Sequence, residues 1–499
     1  MTFVIRLAVF LGVGLFNYGA FAVEKTNVVK VGSKVYTESV ILGEITNLLL
    51  KQSEIRSQHI RELGGTRILW NSLLAGEIDV YPEFTGTITH ELFPEKNISS
   101  FDELQSALAE KGLAIAGPIG FNNTYAIGMK AMRARELGIY KISDLLRHPN
   151  LKFGFSSEFL ERKEGWPGLQ NRYDLSQTAV KGMSHDIAYR ALDSGAVDIV
   201  DLYSTDAEIT YYDLTVLDDD RDFFPRYDAM LLYRLDLTKS NPEILSIFES
   251  LKNRINEAEM IKLNGRVKND RIPESLVASE FINKTFGIST KVATNSMFSK
   301  LLTYTWEHLQ LVFVSLLGAI LIAIPLGIFA AKLPKFGKVI MSVVGIVQTI
   351  PSLALLVFMI PLVGIGTTPV ILALFLYSIL PIVRNTFQGL IDMPQSLRES
   401  AIVLGLPNTA RLLRIELPFA MSYILAGIKT SAVINIGTAT IGALVGAGGY
   451  GQPILTGIRL DNMQLILLGA VPAAVLAMIT QYGFDKLEER LKLVYSRVP

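Results

Sequence analysis

The sequence predicts a two-part chain: an exported, mixed α/β domain of two lobes, followed by an all-helical membrane domain. Three observations carry this. At 499 residues the chain is too long for one core. Most of the charge lies in the first 300 residues, where strand-like and helix-like segments alternate. The last 200 residues hold apolar runs of about 20, the length that crosses a bilayer core.

The elements follow in order. Residues 1–22 read as a secretory leader: Arg6 gives a thin positive start, 7–16 is apolar, and Ala20-Phe21-Ala22 is an A-x-A site. Residues 28–34 are strand-like and 38–52 helical. A helix over 68–75 precedes a short strand over 78–81. Further strands fall at 121–129, 153–155, 199–203 and 229–233. This alternation predicts two α/β lobes over 23–290. A polar linker over 291–308 leads to a membrane domain over 309–499.

Five spans are expected there, near 309–331, 339–364, 368–384, 419–446 and 464–482. Pro351 and Pro361 predict a broken or tilted second span. Lys332, Lys335 and Lys338 make the first loop basic. Arg384, Arg398, Arg411 and Arg414 do the same for the third, and Lys486, Arg490, Lys492 and Arg497 for the tail. The positive-inside rule puts these segments in the cytoplasm and, with five spans, residues 23–300 outside. Lys429, near the inner end of its span, is expected to snorkel. The glycines over 446–451 are expected to stop a helix at the outer end.

Between the third and fourth spans lies SLRESAIVLGLPNTARLLRIELP, residues 396–418. Ser396 and Glu399 have capping-box spacing, so a helix should start there. Gly405 fits its end, Pro407 prevents continuation, and a second short helix should run to Ile415. Two short cytoplasmic helices make a docking element.

Several classes are excluded. There is no cysteine, hence no disulfide or thiol chemistry. Zero net charge gives no case for nucleic-acid binding. No GxxxxGK[ST] loop is present, so ATP chemistry belongs to another polypeptide. The five histidines show no metal or triad spacing, so neither enzyme activity, cofactor nor metal is expected.

Glu399-Ser400-Ala401, Gly405, Ile415 and Leu417-Pro418 resemble the EAA loop of ABC importer permeases, which fits a cleft in a separate ATPase subunit. The resemblance implies that Glu399, Ala401, Gly405 and Pro418 couple to that ATPase. It also implies that two copies of the chain pair, and that the membrane domain is of the type I ABC importer class.

In the exported part the motifs are Gly32-Ser-Lys34-Val-Tyr-Thr37-Glu38, Gly64-Gly-Thr66, Asp79-Val-Tyr-Pro-Glu-Phe-Thr-Gly-Thr87, Asn123-Thr-Tyr125-Ala126, Asp201-Leu-Tyr-Ser-Thr-Asp206 and Phe223-Phe-Pro-Arg-Tyr-Asp228. They resemble the osmoprotectant class of substrate-binding proteins, which take glycine betaine, carnitine, choline and related amines. The fold implied is a two-lobed, type II periplasmic-binding-protein domain. A quaternary ammonium has no N–H to donate, so it is recognised by aromatic faces. Carried over by motif, the box here is Phe84, Tyr125, Tyr203 and Tyr227, while Lys34, Thr87 and Arg162 correspond to groups that meet a ligand carboxylate. Many relatives have tyrosine at position 84; phenylalanine keeps the ring face but loses the hydroxyl.

The expectation is a fused receptor and permease of an ABC importer in a bacterial inner membrane. Its ligand would be a zwitterion such as glycine betaine or carnitine, with choline or ergothioneine as alternatives. A ligand-gated channel or a sensor is the competing class, and neither has use for residues 396–418.

Overall fold

The computed structural model describes residues 28–96, 98, 100–290, 296–460 and 462–495. The leader read over 1–22 lies outside them. The chain divides into two compact units, one before and one after the connection near residue 294.

The first unit holds two five-stranded sheets. In the first lobe the strands are β1 (Val29–Gly32), β2 (Ser57–Ile60), β3 (Val80–Phe84), β4 (Leu113–Ala116) and β10 (Ala229–Arg234), in the order β2-β1-β3-β10-β4. The second lobe has β5 (Tyr125–Lys130), β6 (Phe153–Ser156), β7 (Val180–Met183), β8 (Ile199–Tyr203) and β9 (Leu214–Leu217), in the order β7-β6-β8-β5-β9. β1 is parallel to β2 and β3, whereas β10 runs antiparallel to β3 and β4.

The helix Thr37–Gln52 buries Ile41, Ile45 and Leu49, one turn apart, on the first core. Phe153, Phe155, Phe159 and Trp166 fill the second. The chain passes between lobes twice, from β4 to β5 and from β9 to β10. Asn122 and Asp228 pair by a single antiparallel bridge where the two passages meet. These two neighbouring passages are where the chain crosses between the lobes.

The six strands expected from sequence all form, with shifted ends. Residues 121–124 belong to the passage rather than to β5. The four unexpected strands, β2, β4, β7 and β9, are the four sheet edges. Each has only four residues, and β2 (SQHI) and β7 (VKGM) lack an apolar run, as edges tolerate.

The second unit is helical. The helix Met297–Lys332 starts well before the expected first span, so most of the expected 291–308 linker is helix. Gly318 sits against Phe375 and Gly327 against Thr386, so this helix runs parallel to Thr367–Ile391. Gly389 meets Ala420 and Tyr423 while Gly427 meets Pro381, so Leu417–Thr438 runs antiparallel to Thr367–Ile391. Small residues at these crossings let backbones approach.

Two consecutive parallel helices require the chain between them to return their length. Pro334–Thr349 and Ser352–Val363 do so, bent by 97° at the break before Ser352. Pro351 caps the second of them, and Pro361 stays inside it. The break expected from Pro351 is there, whether the bent pair forms one broken span or a re-entrant loop. Among the described residues four helices, Met463–Tyr495 among them, are long and apolar enough to cross a membrane, and the bent pair makes a fifth pass if it is one span. It is a multi-pass membrane protein.

Within the bundle, Asn435 donates through Nδ2 to Ser378 Oγ at 2.8 Å and to Ser315 Oγ at 3.1 Å. Such bonds join helices where no water competes. Gly446, at φ 76°, ends the turn Ala439–Val445, the helix stop expected of the glycine cluster. Lys429 stays partly exposed, and its Nζ donates to Asp485 at 2.8 Å, with Glu488 at 3.9 Å.

Candidate functional site

β5 and β8 lie side by side, and Tyr125 stands opposite Tyr203 in their register. Their ring centroids are 5.0 Å apart. Tyr227, on the second passage between lobes, meets Tyr125 edge-on at 6.0 Å. Phe84 ends β3 in the first lobe and packs on the same cluster. All four aromatic residues expected from sequence therefore gather where the lobes meet. Tyr227 approaches closely because residue 86 is glycine: a Cβ there would lie 2.6 Å from its ring. The Tyr227 hydroxyl is buried without a hydrogen-bond partner among the described residues. Burial pushes the Tyr125 phenol up to about 12 and raises those of Tyr203 and Tyr227 as well, so all three remain neutral donors.

The three residues expected to meet a ligand carboxylate fare differently. Arg162 is at the cluster: its Nη1 donates to Tyr125 Oη at 3.0 Å. Its Nη2 reaches Glu91 of the first lobe at 2.7 Å, and Glu158 lies 3.8 Å away. Lys34 is buried and pairs with buried Glu83 at 2.5 Å, its Nζ 5.8 Å from the Phe84 ring centre. Both cations thus already face protein carboxylates. Thr87 is buried on the short helix Thr85–Thr87, which follows Phe84 directly.

Sequence reasoning missed Tyr36, Glu83, Glu91 and Glu158. Tyr36 stacks edge-on to Tyr203 at 6.4 Å and donates its hydroxyl to Glu158 at 2.8 Å. Tyr36 and Glu83 lie inside motifs already quoted, which was the available signal. Glu91 and Glu158 sit outside every motif and are brought in only by folding.

In the second unit the docking loop differs from expectation in two ways. The helix Gln395–Val403 starts one residue early with Pro394 as its cap, and no capping box forms. Ser396 accepts through its carbonyl from Ser400, and Glu399 accepts from Gln395 Nε2 at 2.7 Å. Proline already fixes the entry, which leaves the Ser396 side chain without that task. Gly405 does end the helix, at φ 72°, the left-handed conformation glycine favours.

The second helix is not a separate short one. Asn408–Arg411 passes through a π-helical turn, Leu412–Glu416, straight into Leu417–Thr438, and Pro418 lies in the first turn of that last stretch. Buried Glu416 in that turn pairs with Lys332 and lies 3.5 Å from Arg411. Ala401 is buried. The Lys332–Glu416 pair places the first basic loop and the docking loop at the same end of the unit, as the charge rule requires.

Both units match known protein families. Residues 27–284 match the substrate binding domain of ABC-type glycine betaine transport systems. Residues 323–492 match the binding-protein-dependent transport system inner membrane component. The chain is 42% identical over 191 residues to the carnitine transport permease protein OpuCB of Listeria monocytogenes, covering 38% of this chain and 88% of that one. It is 32% identical over 259 residues to the ergothioneine transport permease/ergothioneine binding protein EgtU of Helicobacter pylori, covering 51% of this chain and 47% of that protein. A solved glycine betaine/carnitine/choline ABC transporter structure is 28% identical, with a TM-score of 0.47, and covers 51% of this chain and 98% of that one. The chain therefore belongs to the family of substrate-binding domains of ABC-type glycine betaine transport systems, joined here to its inner-membrane permease in one polypeptide.

Proposed function

We propose that the chain imports quaternary ammonium compounds, above all zwitterions such as glycine betaine or carnitine, across a bacterial inner membrane. The observation that carries this is the gathering of Tyr125, Tyr203, Tyr227 and Phe84 beside Arg162. Ring faces suit a cation that cannot be hydrogen-bonded. Each contributes roughly 0.5–2 kcal/mol, while micromolar affinity needs about 8 kcal/mol net, so a second anchor is required. Arg162, already turned toward the Tyr125 hydroxyl, supplies it by exchanging Glu91 for a ligand carboxylate. Lys34 and Thr87, in the first lobe, are the further candidates for the ligand carboxylate.

In this reading residues 1–22 are a leader, residues 23–290 face the periplasm, and two copies of the chain pair over two separate ATPase subunits. Glu399, Ala401, Gly405 and Pro418 form the ATPase-coupling surface. The ring-faced site also suits ergothioneine, which carries a trimethylammonium and a carboxylate on a larger body. The relative from Helicobacter pylori, whose name joins permease and binding protein, favours that ligand as the second reading.

The test is calorimetry on the full chain with glycine betaine, carnitine, choline and ergothioneine. Binding of a zwitterion tighter than choline supports the reading. Tight choline binding with no measurable betaine or ergothioneine binding sinks the carboxylate anchor. Co-purification of an ATPase subunit tests the partner.

A further inference from the structure

Glu38 lies in a motif singled out by sequence, yet its hydrogen bonds run to Thr205, Asn264 and Asn123 rather than to a box ring. It sits in the first turn of the helix Thr37–Gln52, in the first lobe, and is buried. Three donors converge on it. Thr205 Oγ1, just past β8 in the second lobe, donates to Glu38 Oε2 at 2.6 Å. Asn264 Nδ2, on the helix Glu257–Lys268 of the first lobe, donates to the same oxygen at 3.1 Å and to the Thr205 carbonyl at 2.9 Å. Asn123 Nδ2, on the first passage between lobes, donates to Oε1 at 2.8 Å.

Two residues of the first lobe thus grip Thr205, both side chain and backbone, with a residue of the first passage completing the set. Thr205 follows Tyr203 by two positions, so whatever holds Thr205 also holds the segment that carries a box ring. That segment is fixed from the other side too: Asp206 accepts from the Tyr203 N–H at 2.9 Å and contacts His185 Nε2 at 2.9 Å.

We propose that Glu38 is a positioning residue that latches the second lobe to the first through Thr205 and so sets how far the domain closes before ligand arrives. The proposal rests on the two-lobed site described above but on no choice of ligand. Its charge makes the latch pH-dependent. Burial pushes the Glu38 carboxyl up to about 7, above its ordinary 4.5, with Asp206 nearby acting in the same direction and the three donors opposing. The charged groups facing it are few. Asp206 is held at about 2 against burial, chiefly by His185, with Lys268 also contributing. It remains ionised near neutrality.

A carboxyl raised in the closed form binds its proton more tightly there than when the lobes part. Closure is therefore favoured in acid and weakens as pH rises through about 7. Taking the open form at the ordinary value, the closed-to-open ratio falls about tenfold between about pH 6 and about pH 8.

The chain has no cysteine, so two introduced ones label cleanly. Spin labels on Glu95→Cys of the first lobe and Lys181→Cys of the second, both at exposed positions, report the lobe separation in the full, ligand-free chain. The parent should lose closed population between those pH values. Glu38→Gln should show no such dependence. Thr205→Val removes one bond to the charged form, so it should move the midpoint upward; it also serves if Glu38→Gln fails to fold. A lobe-separation profile that is flat in the parent overturns the proposal. So does one identical in parent and Glu38→Gln, or, where only Thr205→Val folds, one identical in parent and Thr205→Val. Loss of ligand binding in Tyr203→Ala is a separate readout, and its outcome bears only on the box.

Discussion

Arg162 of the second lobe holds Glu91 of the first at 2.7 Å while its other nitrogen holds the Tyr125 hydroxyl at 3.0 Å. One guanidinium therefore joins the aromatic cluster to the opposite lobe, and a ligand carboxylate would compete with Glu91 for it.

That competition gives the first prediction. Glu91→Gln removes the competing charge, so glycine betaine should bind severalfold more tightly, while choline should not gain. Arg162→Ala should erase the preference for zwitterions. Calorimetry on both variants decides; equal gains for both ligands would show that Glu91 does not compete with a carboxylate.

The box tyrosines are not equivalent. Tyr203→Ala and Tyr227→Ala should each weaken binding at least about tenfold, a loss of about 1.4 kcal/mol, within the range of one cation–π face. Tyr227→Phe should be mild, because that hydroxyl has no partner among the described residues. Tyr125→Phe should cost more, about 1 kcal/mol, since it frees Arg162. Unchanged affinity in both alanine variants would mean the cluster is core rather than site.

Gly86 bears on the same ring. Gly86→Ala would place a methyl group 2.6 Å from Tyr227 and push the ring out of register. Affinity should fall at least tenfold while the thermal unfolding of the full chain shifts by only a few degrees. A folded Gly86→Ala chain with parental affinity would show that Tyr227 can move without consequence.

Coupling is tested at Gly405. A Cβ there meets nothing, so the cost within the chain is the left-handed backbone alone, about 1 kcal/mol. Gly405→Asp should therefore leave ligand binding intact, yet abolish ligand-stimulated ATP hydrolysis when reconstituted with the ATPase subunit. Normal stimulation would remove Gly405 from the docking surface.

The His185–Asp206 pair sets a pH window. Burial works against the imidazolium, but Asp206 and Asp201 outweigh it and hold His185 well above its ordinary 6.5. Its stabilisation is fully present below about 6.5 and is lost as pH rises through the raised value. Asp206 behaves oppositely, stabilising above 3.8 and losing that as pH falls to about 2. The Tm gap between the parent and His185→Gln should hold between these limits and close on the alkaline side. A gap that persists at high pH would assign the loss to packing.

The chain's order, its apolar runs and its loop charges determined by themselves the two units, the central strands and the apolar passes, while the four aromatic residues came from a resemblance to a family. Those signals are local: period, length and composition act within a few residues of where they are read. The edge strands were illegible because a four-residue edge, polar in β2 and β7, takes its structure from the neighbour it pairs with. Ser396 and Glu399 had the right spacing for a box, but Pro394, two residues before Ser396, caps the helix instead. Tertiary structure alone decided that Lys34 and Arg162 face Glu83 and Glu91, that Gly86 admits Tyr227, and that Glu38 holds Thr205. Each of those pairs joins residues far apart in the chain, and burial makes an ionised or polar group depend on whichever partner folding sets beside it.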